Sequence, residues 1–241
     1  MKNQLILFIL VFLSKLSLGQ SHVDTSKKSQ KEQNINEATQ LKRKRINEHF
    51  LSKYKTNISK YSKELGLKAI QKNERKFLIR IWTERQCFEI KLNDNGKVEG
   101  QIVNYAVTVE SEVIKTSNKL NVAIGRKGRL NKKLVKSIYS SFKKLHIDTI
   151  PSMENIPFWG HGQDGHVIII EQFINGQYNF KFYWSPEFFA EDISSAKSLK
   201  EFGSNFYSDE LTSIYKTFFK SLPIGCYYYG GMSVNCRTKK R

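Results

Sequence analysis

The sequence predicts an α+β domain, a mainly antiparallel β-sheet with helices packed on one side, preceded by a basic helical arm. Three observations carry that class. The stretch Gly162–Pro186 (GQDGHVIIIEQFINGQYNFKFYWSP) joins two β-branched and aromatic runs through Asn175-Gly176, a dipeptide that tolerates the positive φ angles of a two-residue type I′ turn. A strand meander precedes it, Lys76–Glu84, Gln86–Leu92 and Lys97–Glu110, with the turn Asn93-Asp94-Asn95-Gly96 between the last two. Helical apolar spacing then recurs in three places.

The first 19 residues read as a secretory signal peptide. Lys2 supplies a positive start, Leu5–Leu13 is unbroken apolar sequence, and Ser17-Leu18-Gly19 offers small residues for cleavage. Lys15 ends the run well short of the ~20 residues of a permanent membrane span. The expected location is therefore secreted or periplasmic.

Residues 20–74 read as the basic arm. Ile46, Phe50, Tyr54, Ile58, Tyr61 and Leu65 recur every three or four residues, and Gly66 is a natural stop. Between Ser21 and Lys76 there are fifteen Lys or Arg against six Asp or Glu, including the run Lys42-Arg43-Lys44-Arg45. Such a helix either contacts a polyanion or anionic surface through those four residues, or docks its apolar stripe on its own sheet. Docking is the favoured expectation.

Residues 75–241 form the globular domain. In its first strand Phe77, Ile79 and Ile81 share one face, and Leu78, Arg80 and Trp82 the other. Leu120–Ile124 offers a further strand, and Gly125-Arg126-Lys127-Gly128 reads as a basic turn. Asn131–Leu145 is a helix by pattern, and Ile147–Trp159, with Pro151 and Pro157, a loop. The type I′ turn sets the hairpin register: Val167 opposite Trp184, Ile169 opposite Phe182, Glu171 opposite Phe180, Phe173 opposite Tyr178. Those eight residues define the expected core face, with Glu171 in its middle. A carboxylate there costs several kcal/mol unless paired or hydrogen-bonded, and Arg80 is the natural partner.

Ser185-Pro186-Glu187 suggests a helix start running to about Phe202, and Ser208 caps another that ends before Pro223. Export permits a disulfide, and in CYYYGGMSVNC a three-residue loop at Gly230–Met232 sets Cys226 opposite Cys236. Such a bridge adds roughly 2–3 kcal/mol. Cys87 reads as a buried thiol.

Gly162, Asp164, Gly165, Glu171, Tyr178, Phe180, Trp184, Ser185 and Pro186, together with the Ile150-Pro151 loop and the meander, form a pattern. It resembles a group of uncharacterised exported proteins from Bacteroidetes over about Arg75–Phe219. The resemblance implies an exported protein of this fold and no particular activity.

Chemistry-bearing motifs are sparse. Glu171 is the candidate catalytic acid, with Arg80 as its partner; a glycosidase would want a second carboxylate, and Glu84, Glu89 and Glu99 are the choices. His161, Asp164 and His166 are the metal candidates, from one loop and without a second ligand pair. Nucleophile and phosphate-loop signatures are missing, and no cofactor is expected. No nucleic-acid module accompanies the basic arm. The expected role is a non-enzymatic binding or scaffolding domain of the cell envelope, with an anionic envelope component or another protein as partner. The alternative is an envelope hydrolase using Glu171.

Overall fold

The computed structural model describes residues 36–70, 76–108, 123–162, 165–221, 227–229 and 232–233. Residues 1–19, read from sequence as a signal peptide, the start of the arm, Asp164 and both Cys226 and Cys236 lie outside those residues.

Helix α1 covers 36–64 and ends at Gly66, whose φ of 63° suits glycine. There Leu67 N–H donates to the Ser62 carbonyl at 2.8 Å, satisfying an orphan carbonyl of the last turn. Strands β1 (Phe77–Trp82), β2 (Gln86–Leu92), β3 (Val98–Thr108) and β4 (Ala123–Arg129) form an antiparallel meander. Helix α2 (Lys132–Lys144) follows, its first turn capped by the Asn131 side chain. Strands β5 (Val167–Ile174) and β6 (Gln177–Trp184) form the hairpin. Helices α3 (Ser194–Gly203) and α4 (Asp209–Lys220) come next, then short strands β7 (Tyr227–Tyr229) and β8 (Met232–Ser233).

The eight strands among the described residues join one sheet in the order β6-β5-β1-β2-β3-β7-β8, with β4 also on β3. The hairpin register is the one the turn dictates, Val167 opposite Trp184 through Ile174 opposite Gln177. Asn175 and Gly176 take φ of 50° and 82°, as a type I′ turn requires.

The α+β class holds, with α2, α3 and α4 on one face. Phe142 of α2 packs on Phe77, Gly203 of α3 lies under Ile168, and Gln86 donates to the Leu211 carbonyl of α4. The arm docks on the opposite face, where Tyr54 stacks on Phe182 and Tyr61 meets Tyr105. Ile58 and Leu65 belong to the same buried cluster as the strands. Ile46, expected in that stripe, is exposed, and Asn47 takes its place at 2% exposure.

Because helices cover both faces, the division of the hairpin into a core face and a mixed face needs correction. Ile168, Ile170, Gln172, Lys181 and Tyr183 are buried too. Lys181 survives there by donating to the carbonyls of Ile147 and Asp148 at 3.1 and 2.8 Å.

Three local readings also change. Gly125-Arg126-Lys127-Gly128 is no turn: it lies within β4, paired along β3 from Gln101–Arg129 to Val107–Ala123. Backbone pairing there overrides the turn preference of two glycines. Ser185 does not cap a long helix. It sits at φ 40°, and its Oγ accepts from His166 N–H at 2.9 Å, so Pro186–Phe188 is one 3-10 turn and α3 begins afresh at Ser194. In the tail, Tyr229 pairs with Met232, leaving a two-residue connection where the three-residue loop was expected.

Burial lowers the Lys181 pKa to about 8, against the opposing pull of Asp148. Its folded value lies below its unfolded one, so between about pH 8 and 10.5 the unfolded chain holds more of this proton and stability rises with pH. Expected outcome: the stability of the wild type relative to Lys181→Met increases across that window, as read by urea denaturation at a series of pH values. A flat difference curve would contradict the buried charge.

Candidate functional site

Two places hold the residues that could act, one sealed and one open. The sealed one is centred on Arg80. Antiparallel pairing sets Arg80 beside Glu89 on β2 and Glu171 on β5. Its Nη2 lies 2.7 Å from Glu89 Oε2, and its Nη1 lies 3.5 Å from Glu171 Oε2. Nη2 also donates to the Lys68 carbonyl at 3.0 Å, in the segment that follows α1.

Each carboxylate oxygen accepts a hydrogen bond. Glu171 Oε2 takes Trp82 Nε1–H at 2.8 Å, and Oε1 takes the Tyr178 hydroxyl at 3.1 Å. Glu89 Oε1 takes Gln101 Nε2–H at 3.0 Å. Burial alone would lower the Arg80 pKa, but the negative groups around it, Glu171 and Glu89 among them, raise it. Burial and the Glu171 charge push the Tyr178 hydroxyl up, so it stays a donor. Arg80, at 1% exposure, and Glu171, at 6%, are buried, and their pairing ties β1 to β5 as Glu89 ties it to β2.

Glu89, considered from sequence only as a second acid, is the closer partner of Arg80. The β1–β2 connection, Glu84-Arg85, is a tight turn with Thr83 N–H bonded to the Gln86 carbonyl at 2.9 Å. A two-residue connection there puts Arg80 opposite Glu89, so the signal was present, but Glu-Arg is not a recognised hairpin dipeptide.

The metal candidates acquire different neighbours. His161 stacks on Phe50 at 3.6 Å between centroids and lies against Trp184, and burial lowers its pKa. His166 instead approaches Glu84, Nδ1 to Oε1 3.5 Å, and packs beside Tyr207. Burial raises the Glu84 pKa against the opposing charges of His166 and Arg85. Among the described residues no group of three or more His, Cys, Asp or Glu is arranged to hold a metal.

The open place lies between the first half of α1 and the loop before β5. It is a groove of about 900 Å³, walled by Leu41, Ile156, Pro157, Phe158 and Trp159, with Arg43 and Lys44 among its polar residues. Its volume is that of a small-ligand site.

Hydrogen bonds fix both walls. Asn47 Nδ2–H donates to the Trp159 carbonyl at 2.9 Å, and Phe158 N–H to Gln40 Oε1 at 3.3 Å. Trp159 Nε1–H donates to the Trp184 carbonyl at 2.9 Å, tying the loop to the sheet. Phe158 holds φ 66°, a costly conformation for a residue with a side chain, and the residue is 59% exposed. Leu41, 57% exposed, faces solvent from α1. Lys42, Arg43, Lys44 and Arg45 are all exposed, and none forms an ion pair with a described residue. Among the described residues Glu37 and Glu154 also line the groove, matching Arg43 and Lys44 in charge, and Lys42 and Arg45 flank that pair on α1.

Among the described residues no helix is long and apolar enough to cross a membrane. The chain matches no protein-family model and no curated protein, so its role is argued from these residues.

The sealed cluster makes a stability prediction. Arg80→Met leaves the buried Glu171 and the half-buried Glu89 without their shared cation and should cost about 3–5 kcal/mol. Glu171→Gln keeps an acceptor for Trp82 and leaves Arg80 its shorter bond to Glu89, so about 1–2 kcal/mol is expected. Urea denaturation of both variants checks the order; the reverse order would contradict it.

Proposed function

We propose that the protein is an exported, non-enzymatic binding protein of the cell envelope, and that its groove holds the apolar part of an anionic amphiphile. The observation that carries this reading is the meeting of two features that usually keep apart. Exposed Leu41 and Phe158 line a concavity of about 900 Å³ together with exposed Arg43 and Lys44, and exposed Lys42, Arg45 and Ile46 flank that pair in sequence on α1. Apolar side chains with flanking cations suit the boundary between lipid headgroups and acyl chains. The strained backbone of Phe158 keeps its ring outward, where a ligand can cover it.

The arm has two sides with two tasks in this reading. One closes the core; the other presents the charges. Deleting the arm would therefore uncover the sheet as well as remove the cations, since Ile58 and Leu65 are buried in the core cluster. Surface substitution is the cleaner test.

Expected outcome: the mature protein floats with phosphatidylglycerol vesicles and not with phosphatidylcholine vesicles. Replacing Lys42, Arg43, Lys44 and Arg45 together by Gln should weaken flotation by more than about tenfold, since each cation near an anionic surface contributes about 1 kcal/mol. Leu41→Ser with Phe158→Ser should weaken it with the charges intact. Equal flotation with both vesicle types, or no loss in either variant, would overturn the reading.

A further inference from the structure

We propose a second anion site, separate from the groove on α1, that takes a compact ligand carrying at least two phosphate groups. It lies where β3 outruns β4 and the chain turns into α2. Strand β4 pairs with Gln101–Val107, so Val98–Gly100 extends beyond it. Leu130 N–H, donating to the Gly100 carbonyl at 3.2 Å, closes the corner.

The concavity left there measures about 380 Å³, and Lys91, Lys97, Lys127, Arg129 and Lys132 line it. The fold brings them from four elements. The β2–β3 pairing sets Lys91 opposite Glu99, the β3–β4 pairing sets Arg129 opposite Gln101, and α2 begins at Lys132. Gly100 permits the close approach of α2: a Cβ there would stand 2.6 Å from Val135.

Charge balance separates this site from the α1 groove. Among the described residues its only acidic lining residue is Glu99, already 3.5 Å from Lys97. Lys127 is anchored, its Nζ donating to the Gly66 carbonyl at 2.7 Å. Five cations crowd a space smaller than the ~10 Å screening length at 0.1 M salt would separate, so a multiply charged anion relieves their repulsion. The glycine at 128 fits the same role. Packing does not demand it, because a Cβ would make an ordinary 3.4 Å contact with Ile102. A glycine inside a strand weakens it and leaves bare backbone where a ligand can come close.

The small volume and charged lining favour clustered phosphates over an apolar ligand or a long polymer. Their source is either contiguous phosphates or separate phosphomonoesters on a sugar. Isothermal titration calorimetry on the mature chain at about 50 mM salt, with inorganic tripolyphosphate and with glucose 1,6-bisphosphate as probes, reads both.

The expected result is saturable binding of at least one probe, and the tighter one identifies the source. Arg129→Gln with Lys132→Gln, both exposed, should weaken it about tenfold. Lys216→Gln with Lys220→Gln, both exposed on α4, should leave it unchanged. No binding of either probe at about 1 mM, or equal loss in the two double variants, would overturn the proposal. The vesicle experiment on the α1 groove can fail without touching this result.

Discussion

A guanidinium buried in the middle of the sheet constrains everything around it. Arg80 is 1% exposed and cannot shed its charge, so the strands on both sides must each bring an acid. Glu89 and Glu171 do so from β2 and β5. Trp82, Tyr178 and Gln101 fill the remaining lone pairs of those acids. A slip of one residue on either side would turn an acid to the other face and leave Arg80 unpaired. The cluster thus specifies register, which an apolar core of interchangeable Ile and Val side chains would specify less sharply.

The same cluster explains why the arm belongs to the fold. A sheet face carrying three charges, Trp82 and Phe182 needs a lid that supplies both apolar cover and a further acceptor. Helix α1 supplies the cover through Tyr54, Ile58 and Leu65, and the Lys68 carbonyl beyond it supplies the acceptor. Once α1 lies along the sheet, its first turns overhang the loop at Ile156–Trp159, and the groove is the space between them. Arg43 and Lys44 of the arm reach that groove as a consequence of core packing.

The second basic concavity arises from a different mismatch, the unequal lengths of β3 and β4. With seven residues against eleven, β4 leaves the start of β3 uncovered, and the turn into α2 gathers cations at the gap. Both clefts sit at the margins of the sheet, where strands or helices overrun their neighbours.

Local patterns in the chain carried a good part of this. Asn175-Gly176 set the hairpin register residue by residue, since two left-handed residues fix which side chains face each other. The apolar spacing of α1, α2 and α4 and the Ser208 cap placed those helices. The suspicion that Arg80 answers Glu171 came from two charges stranded on apolar faces. What local pattern could not carry was anything requiring a distant strand or a second layer. Gly125–Gly128 looks like a turn until β3 pairs with it, and Ser185 looks like a cap until His166 claims its hydroxyl. His161 and His166 look like joint ligands until one stacks on Phe50 and the other meets Glu84.

By itself, then, the sequence determined the α+β class, the central hairpin and the need to neutralise a buried acid, because turn chemistry, side-chain alternation and desolvation act over a few residues. Only the tertiary structure decided that both sheet faces are covered, that Glu89 shares Arg80, and where the clefts lie. Those outcomes depend on contacts between residues far apart in the chain, such as the 91-residue separation of Arg80 and Glu171, and such contacts leave no periodic trace in the sequence.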